Sequence, residues 1–142
     1  MIDFVELVNR SFATINKGFD ESISDLARIL ESITSAIRNA SSRNFQLDYR
    51  IEVEGPKGSL ARVYFDPDPT DMSAEPYTIT YIWIPAKGYP IEGGSYRKAI
   101  DKFDTIDVFH DAAALEGYFA DLLTNPDSVL IQAIGFGMRQ ST

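Results

Sequence analysis

The sequence predicts an α+β domain: a long N-terminal helix, an antiparallel sheet of at least three strands, then C-terminal helices. Three observations carry that prediction. Over the first 40 positions apolar residues recur at steps of three and four, the spacing of one helix face. From Phe45 the period drops to two, the signature of a strand with one buried and one wet face. Residues 77–84 are apolar on both faces, which places that strand inside a sheet or at an interface. The chain has 142 residues, 44% hydrophobic and 24% charged. That is ordinary globular usage and the length of one domain, 1–142, with a helical segment 1–41 and an α+β body 45–142.

The N-terminal pattern comes first. Val8, Phe12, Ile15, Phe19, Ile23, Leu26, Leu30, Ile33, Ile37 and Ala40 form a heptad-like seam. Its one stutter, Phe19 to Ile23, coincides with Gly18 and Asp20, so the helix is expected to bend or break near Gly18, with Asp20 capping a second helix. An unbroken helix over 3–41 would be about 58 Å long. A compact chain of this size is only about 37–40 Å across. A second copy covering the seam at Phe12, Phe19, Leu26, Leu30 and Ile33 resolves the mismatch and makes the chain a homodimer. A hairpin of two helices folded on the sheet of the same chain resolves it equally.

Ser41 to Asn44 is a polar linker. Phe45, Leu47, Tyr49, Ile51 and Val53 then alternate with polar residues in a first strand, about 45–54. Gly55-Pro56-Lys57-Gly58 turns into a second strand, 59–65. Residues 66–76 hold three prolines and three aspartates and read as a loop. The third strand is 77–84. Residues 85–94 read as another loop, and Tyr96, Ala99, Ile100 and Phe103 have the spacing of a short helix. Asp111–Leu123 reads as a helix with Leu115, Tyr118, Phe119 and Leu122 on one face. Asn125-Pro126 reads as a cap with proline at the first helical position, opening a last helix over 129–138. Gly135 and Gly137 leave a C-terminal strand as the alternative.

Composition excludes several classes. With no Cys there is no disulfide scaffold, thiol nucleophile or Cys-ligated metal. A net charge of −8 argues against binding nucleic acid through its phosphates. No stretch approaches the ~20 apolar residues of a membrane helix. The N-terminus lacks the basic and apolar regions of a signal peptide, so the expected compartment is cytoplasmic.

Catalytic signals are weak, and a non-enzymatic chain is expected with no cofactor and no metal. Gly88, Gly93 and Gly94 have P-loop spacing but lack its Lys, and Glu92 would repel phosphate. Asp66, Asp68 and Asp71 are interrupted by prolines and lack the glycine and glutamate of a calcium loop. His110, the only histidine, lies between Asp107 and Asp111 but has no second His or Cys to work with. Glu52 and Glu54 share a face that is polar throughout, so water screens them.

Two features point to binding. Tyr49, Tyr64, Tyr77, Tyr81, Trp83, Tyr89 and Tyr96 cluster in the sheet and the loop after it, and such side chains dominate many interfaces. Residues 101–127 hold seven acids and one base, an acidic stripe with Asp101, Asp104, Asp107, Asp111 and Glu116 as candidate partner contacts, of which Asp104, Asp107 and Asp111 share one face if a helix runs through them. The expected function is therefore a bacterial or phage protein-binding domain of the immunity, inhibitor or acidic-chaperone type. Its protein partner would be basic, or a second copy of itself. The alternative is a small-molecule sensor or sequestering protein. Its pocket would lie between the sheet and the 85–95 loop, lined by Tyr81, Trp83, Tyr89 and Tyr96, with Arg97 meeting an anionic ligand.

Overall fold

The computed structural model describes residues 1–140. Two helices open the chain, α1 (Phe4–Thr14) and α2 (Lys17–Ser41). Five strands follow, β1 (Gln46–Gly55), β2 (Gly58–Asp66), β3 (Tyr77–Pro85), β4 (Ile91–Arg97) and β5 (Lys102–Phe109). Two helices close it, α3 (Ala112–Thr124) and α4 (Val129–Arg139). The sheet is an antiparallel meander in the order β1-β2-β3-β4-β5. This is the expected α+β class. The two-faced apolar strand, β3, is the central one.

The break in the N-terminal helix falls at Ile15–Asn16, two residues before Gly18. Asn16 adopts the left-handed conformation with φ of 65°, which asparagine tolerates better than most side chains. Gly18 instead lies inside the first turn of α2, and Asp20 donates its backbone N–H to the Asn16 carbonyl rather than capping. Glycine is needed at 18 for a different reason. A Cβ there would stand 2.1 Å from the Lys87 carbonyl oxygen, so α2 docks backbone to backbone on the β3–β4 turn. Gly88 completes the contact, with φ of 87° and no room for a side chain against Gly18.

The seam residues then divide. Leu26 and Leu30 are 0% and 1% exposed in the chain's own core, with Phe19 and Ile33 packed against it. They are covered by the sheet rather than by another copy, because α2 lies on β1 and β3. Thr34 fixes the register: its hydroxyl donates to the Leu47 carbonyl (2.8 Å) and accepts from the Leu47 N–H (2.9 Å). Phe12 is 70% exposed, and α1 contains no buried residue.

Residues 91–109 correct the expectation of a loop and a short helix. They form the β4–β5 hairpin, joined by a single 3₁₀ turn at Lys98–Ile100. Gly93 and Gly94 are close-approach glycines: a Cβ at 93 would meet the Phe109 ring at 2.9 Å, and one at 94 the Asp104 carbonyl at 2.0 Å. The last segment is helical, as α4. Its cap is Ser128, whose hydroxyl accepts from the Ile131 N–H, rather than Asn125. Asn125 ends α3 and holds the turn by accepting from Asp127.

Helices α2, α3 and α4 all pack on one face of the sheet. The core there is built from Leu47, Val63, Phe65, Ile82, Ile84, Ile91 and Phe109, with Leu26, Leu30, Leu115, Phe119 and Leu130 from the helices. Among the described residues, no helix packs on the opposite face.

Candidate functional site

The strand registers state which side chains share the open face. Opposed residues point to the same side of a sheet. One row runs Val53, Leu60, Trp83, Glu92 and Val108. A second runs Arg50, Arg62, Tyr81, Gly94 and Thr105. The bulge at Glu52 makes this pattern possible. It lets Val53 face outward although Ile51, two residues earlier, faces the core.

The upper part of this face is a groove of about 440 Å³ lined by Val53, Leu60, Trp83, Glu92, Tyr96, Asp101, Phe103 and Thr105. Leu60 is its floor. It is 2% exposed yet stands outside the main core, sheltered on the open side of the sheet. Trp83 lies over Gly58, where a Cβ would reach within 3.0 Å of the indole. Tyr81 and Tyr96 pack ring on ring at 5.5 Å. The rim is polar and already ordered. The Tyr96 hydroxyl donates to Asp101 (2.7 Å), which raises its pKa, and Thr105 donates to Glu92 (2.8 Å). The lining holds two carboxylates and no cation. Below the groove, Arg50 pairs with Glu52 (2.9 Å), and Arg62 donates to Thr78 and the Pro76 carbonyl while covering the Tyr64 ring.

The structure brings Tyr81, Trp83 and Tyr96 together on this face but not Tyr89. Tyr89 is on the helix side, where its hydroxyl donates to Asp25 of α2 at 2.8 Å. Burial and that carboxylate push its pKa well up. The pocket expected between the sheet and the 85–95 loop is therefore not formed by those four residues. Arg97 is at the far end of β4, paired with Asp104 at 3.3 Å.

The acidic stripe is not a helix face. Asp101 ends the 3₁₀ turn with φ of 48°, Asp104 and Asp107 are on β5, and Asp111 and Glu116 belong to the start of α3. A bulge between Thr105 and Asp107 keeps Asp104 and Asp107 on one side of the strand. Each end of the stripe has a local role. Asp111 caps α3 by accepting from the Ala114 N–H, Glu116 pairs with Arg28 (3.0 Å), and Asp104 meets both Arg97 and Lys102.

The remaining motifs have structural roles as well. Asp66, Asp68 and Asp71 each accept a backbone N–H two residues on, building successive turns. The bonds from Ser73 lower the Asp71 pKa. His110 is exposed. Among the described residues no three His, Asp or Glu side chains converge as a metal site, and no helix is long and apolar enough to cross a membrane.

Position in sequence could not reveal the groove, because Phe103 and Thr105 join it only through the β4–β5 pairing. Comparison with known proteins finds no match among family models, curated proteins or solved structures.

Proposed function

We propose that this chain is a non-enzymatic protein-binding domain whose open sheet face receives an apolar segment of a protein partner. One observation carries the reading: a half-buried aromatic groove, floored by Leu60 and walled by Trp83, Tyr96 and Phe103, on a sheet face that no helix covers. An apolar center within a rim of satisfied polar groups is the anatomy of an interface. Tyr and Trp are the residues that most often carry binding energy in one. Glu92 and Asp101 favor a partner segment that places a Lys or Arg beside its apolar residues. The β5 edge adds Val108, exposed and in the Trp83 row, to the same surface.

The test is capture from a lysate of the native host on immobilized chain, wild type against Tyr96→Ala and Thr105→Arg. Both positions are in the groove and outside the core. A host protein retained by the wild type and lost by both variants is the expected result. An identical set of bound proteins on all three would overturn the reading.

A further inference from the structure

Helix α1 presents an uncovered apolar surface, with no buried residue along its length. Asp3 caps its N-terminus by accepting from the Glu6 N–H at 3.1 Å, and Arg10 pairs with Glu6 along its surface at 2.8 Å. At 100° per residue, Phe4, Val5, Val8, Phe12 and Ile15 fall within about a third of the helix circumference. All five are exposed, Val8 the least at 48%. A helix of three turns is marginal in water unless such a stripe is packed.

We propose that the α1 stripe of each copy seats on the open sheet face of a second copy, in a reciprocal two-fold dimer. The area favors this arrangement. The stripe offers on the order of 500 Å², within the roughly 300–600 Å² of the largest patch on a typical monomer, which is often functional. Two stripes on two sheet faces bury roughly 2,000 Å² in total, above the ~1,600 Å² of a standard stable interface. Two α1 helices pairing only with each other would bury about half that, short of the standard size. The dimensions agree too. Helix α1 is about 16 Å long, and five strands span about 19 Å.

The same chain cannot supply its own α1. Helix α2 lies on the opposite face of the sheet, and Gly18 is locked against the Lys87–Gly88 backbone. Only Ile15 and Asn16 separate the helices, a reach of at most about 11 Å from the end of one to the start of the next. Layers on the two faces of one sheet are about 20 Å apart. Helix α1 leaves from the sheet end that carries the β1–β2 and β3–β4 turns, and Leu60 and Trp83 stand two residues from those turns. A two-fold axis past that end brings each α1 to the other copy's groove.

This assignment builds on the reading of the open face as a protein-binding surface. It makes self-association and partner capture mutually exclusive.

The experiment uses the full chain. Mass is measured by sedimentation equilibrium, and Trp83, the only tryptophan, is read by emission and acrylamide quenching. The wild type is expected as a dimer with blue-shifted, protected emission. Phe12→Asp and Val108→Asp are each expected to halve the mass, red-shift Trp83 and raise its quenching, with far-ultraviolet circular dichroism losing at most the contribution of the 11-residue α1. Mixing the two variants pairs one intact stripe with one intact face, about half of the wild-type interface, and is expected to restore heterodimer only at higher protein concentration than the wild type needs. A monomeric wild type, a Phe12→Asp dimer, or a Val108→Asp dimer would overturn the assignment. A monomeric wild type whose host partner is still lost on Tyr96→Ala would leave the partner-binding reading standing. A dimer through this face with no host partner would do the reverse.

Discussion

Phe12 and Leu26 are two heptads apart on one continuous apolar pattern, yet they have opposite fates. Leu26 is fully buried between α2 and the sheet, and Phe12 is 70% exposed on α1. The spacing of apolar residues is the same in both halves. What separates them is the left-handed residue Asn16, which turns the chain and lets Gly18 dock α2 on the β3–β4 turn. Periodicity specifies a helix and the face it must cover, but what covers it is decided by tertiary contacts elsewhere in the sequence.

The comparison breaks most severely at Leu26. Leu26→Asp places an unpaired carboxylate where no water reaches, at a cost of about 4 kcal/mol or more, a large share of a typical domain's stability. The expected outcome in urea unfolding is a chain that is largely unfolded. A folded Leu26→Asp chain that changes only its assembly state would mean that α2, like α1, faces another copy.

Gly18→Ala tests the contact that separates the two helices. The added methyl meets the Lys87 carbonyl backbone rather than a flexible side chain, so the turn or α2 must shift. The expected loss is roughly 1–3 kcal/mol, the usual cost of overpacking. Gly117→Ala, with open space around its Cβ, is the control and should be neutral or slightly stabilizing.

Tyr89→Phe probes the polar tie between α2 and the same turn. It removes the bond to Asp25, worth about 1 kcal/mol. It also changes the response to alkali. The folded state raises the Tyr89 pKa above its ordinary value, so the stabilization is fully present below pH ~10 and is lost as pH rises from there toward the folded-state value. Stability of the wild type above pH ~10 should therefore fall more steeply than that of Tyr89→Phe, and parallel slopes would contradict the tie.

The same contrast explains how much of the molecule was legible in its sequence. Strands β1 to β3 fall within a residue or so of their expected ranges, because β1 alternates apolar and polar residues and turn residues bound β2 and β3. The β4–β5 hairpin was not legible. Gly93 and Gly94 lack strand propensity, and they are there because Phe109 and the Asp104 carbonyl come too close for any side chain. The bulge near Ile106 then breaks the alternation of β5. Without that hairpin the aromatics had no common surface. Tyr81, Trp83 and Tyr96 were identifiable as binding candidates, but their separation from Tyr89 depends on which face of the sheet each strand presents.

The smallest effect on stability is expected at Phe12. In the isolated protomer Phe12→Asp removes no buried contact, so the change should be within about 0.5 kcal/mol, as for most exposed positions. Stability that does not vary with protein concentration in Phe12→Asp, beside wild-type stability that rises with it, would show α1 acting only between copies. The pair Leu26→Asp and Phe12→Asp thus applies one chemical change at two sites of one apolar seam. A loss at Phe12 that approaches the loss at Leu26 in dilute solution would mean that α1 is covered within its own chain, and the division of the seam at Asn16 would have to be redrawn.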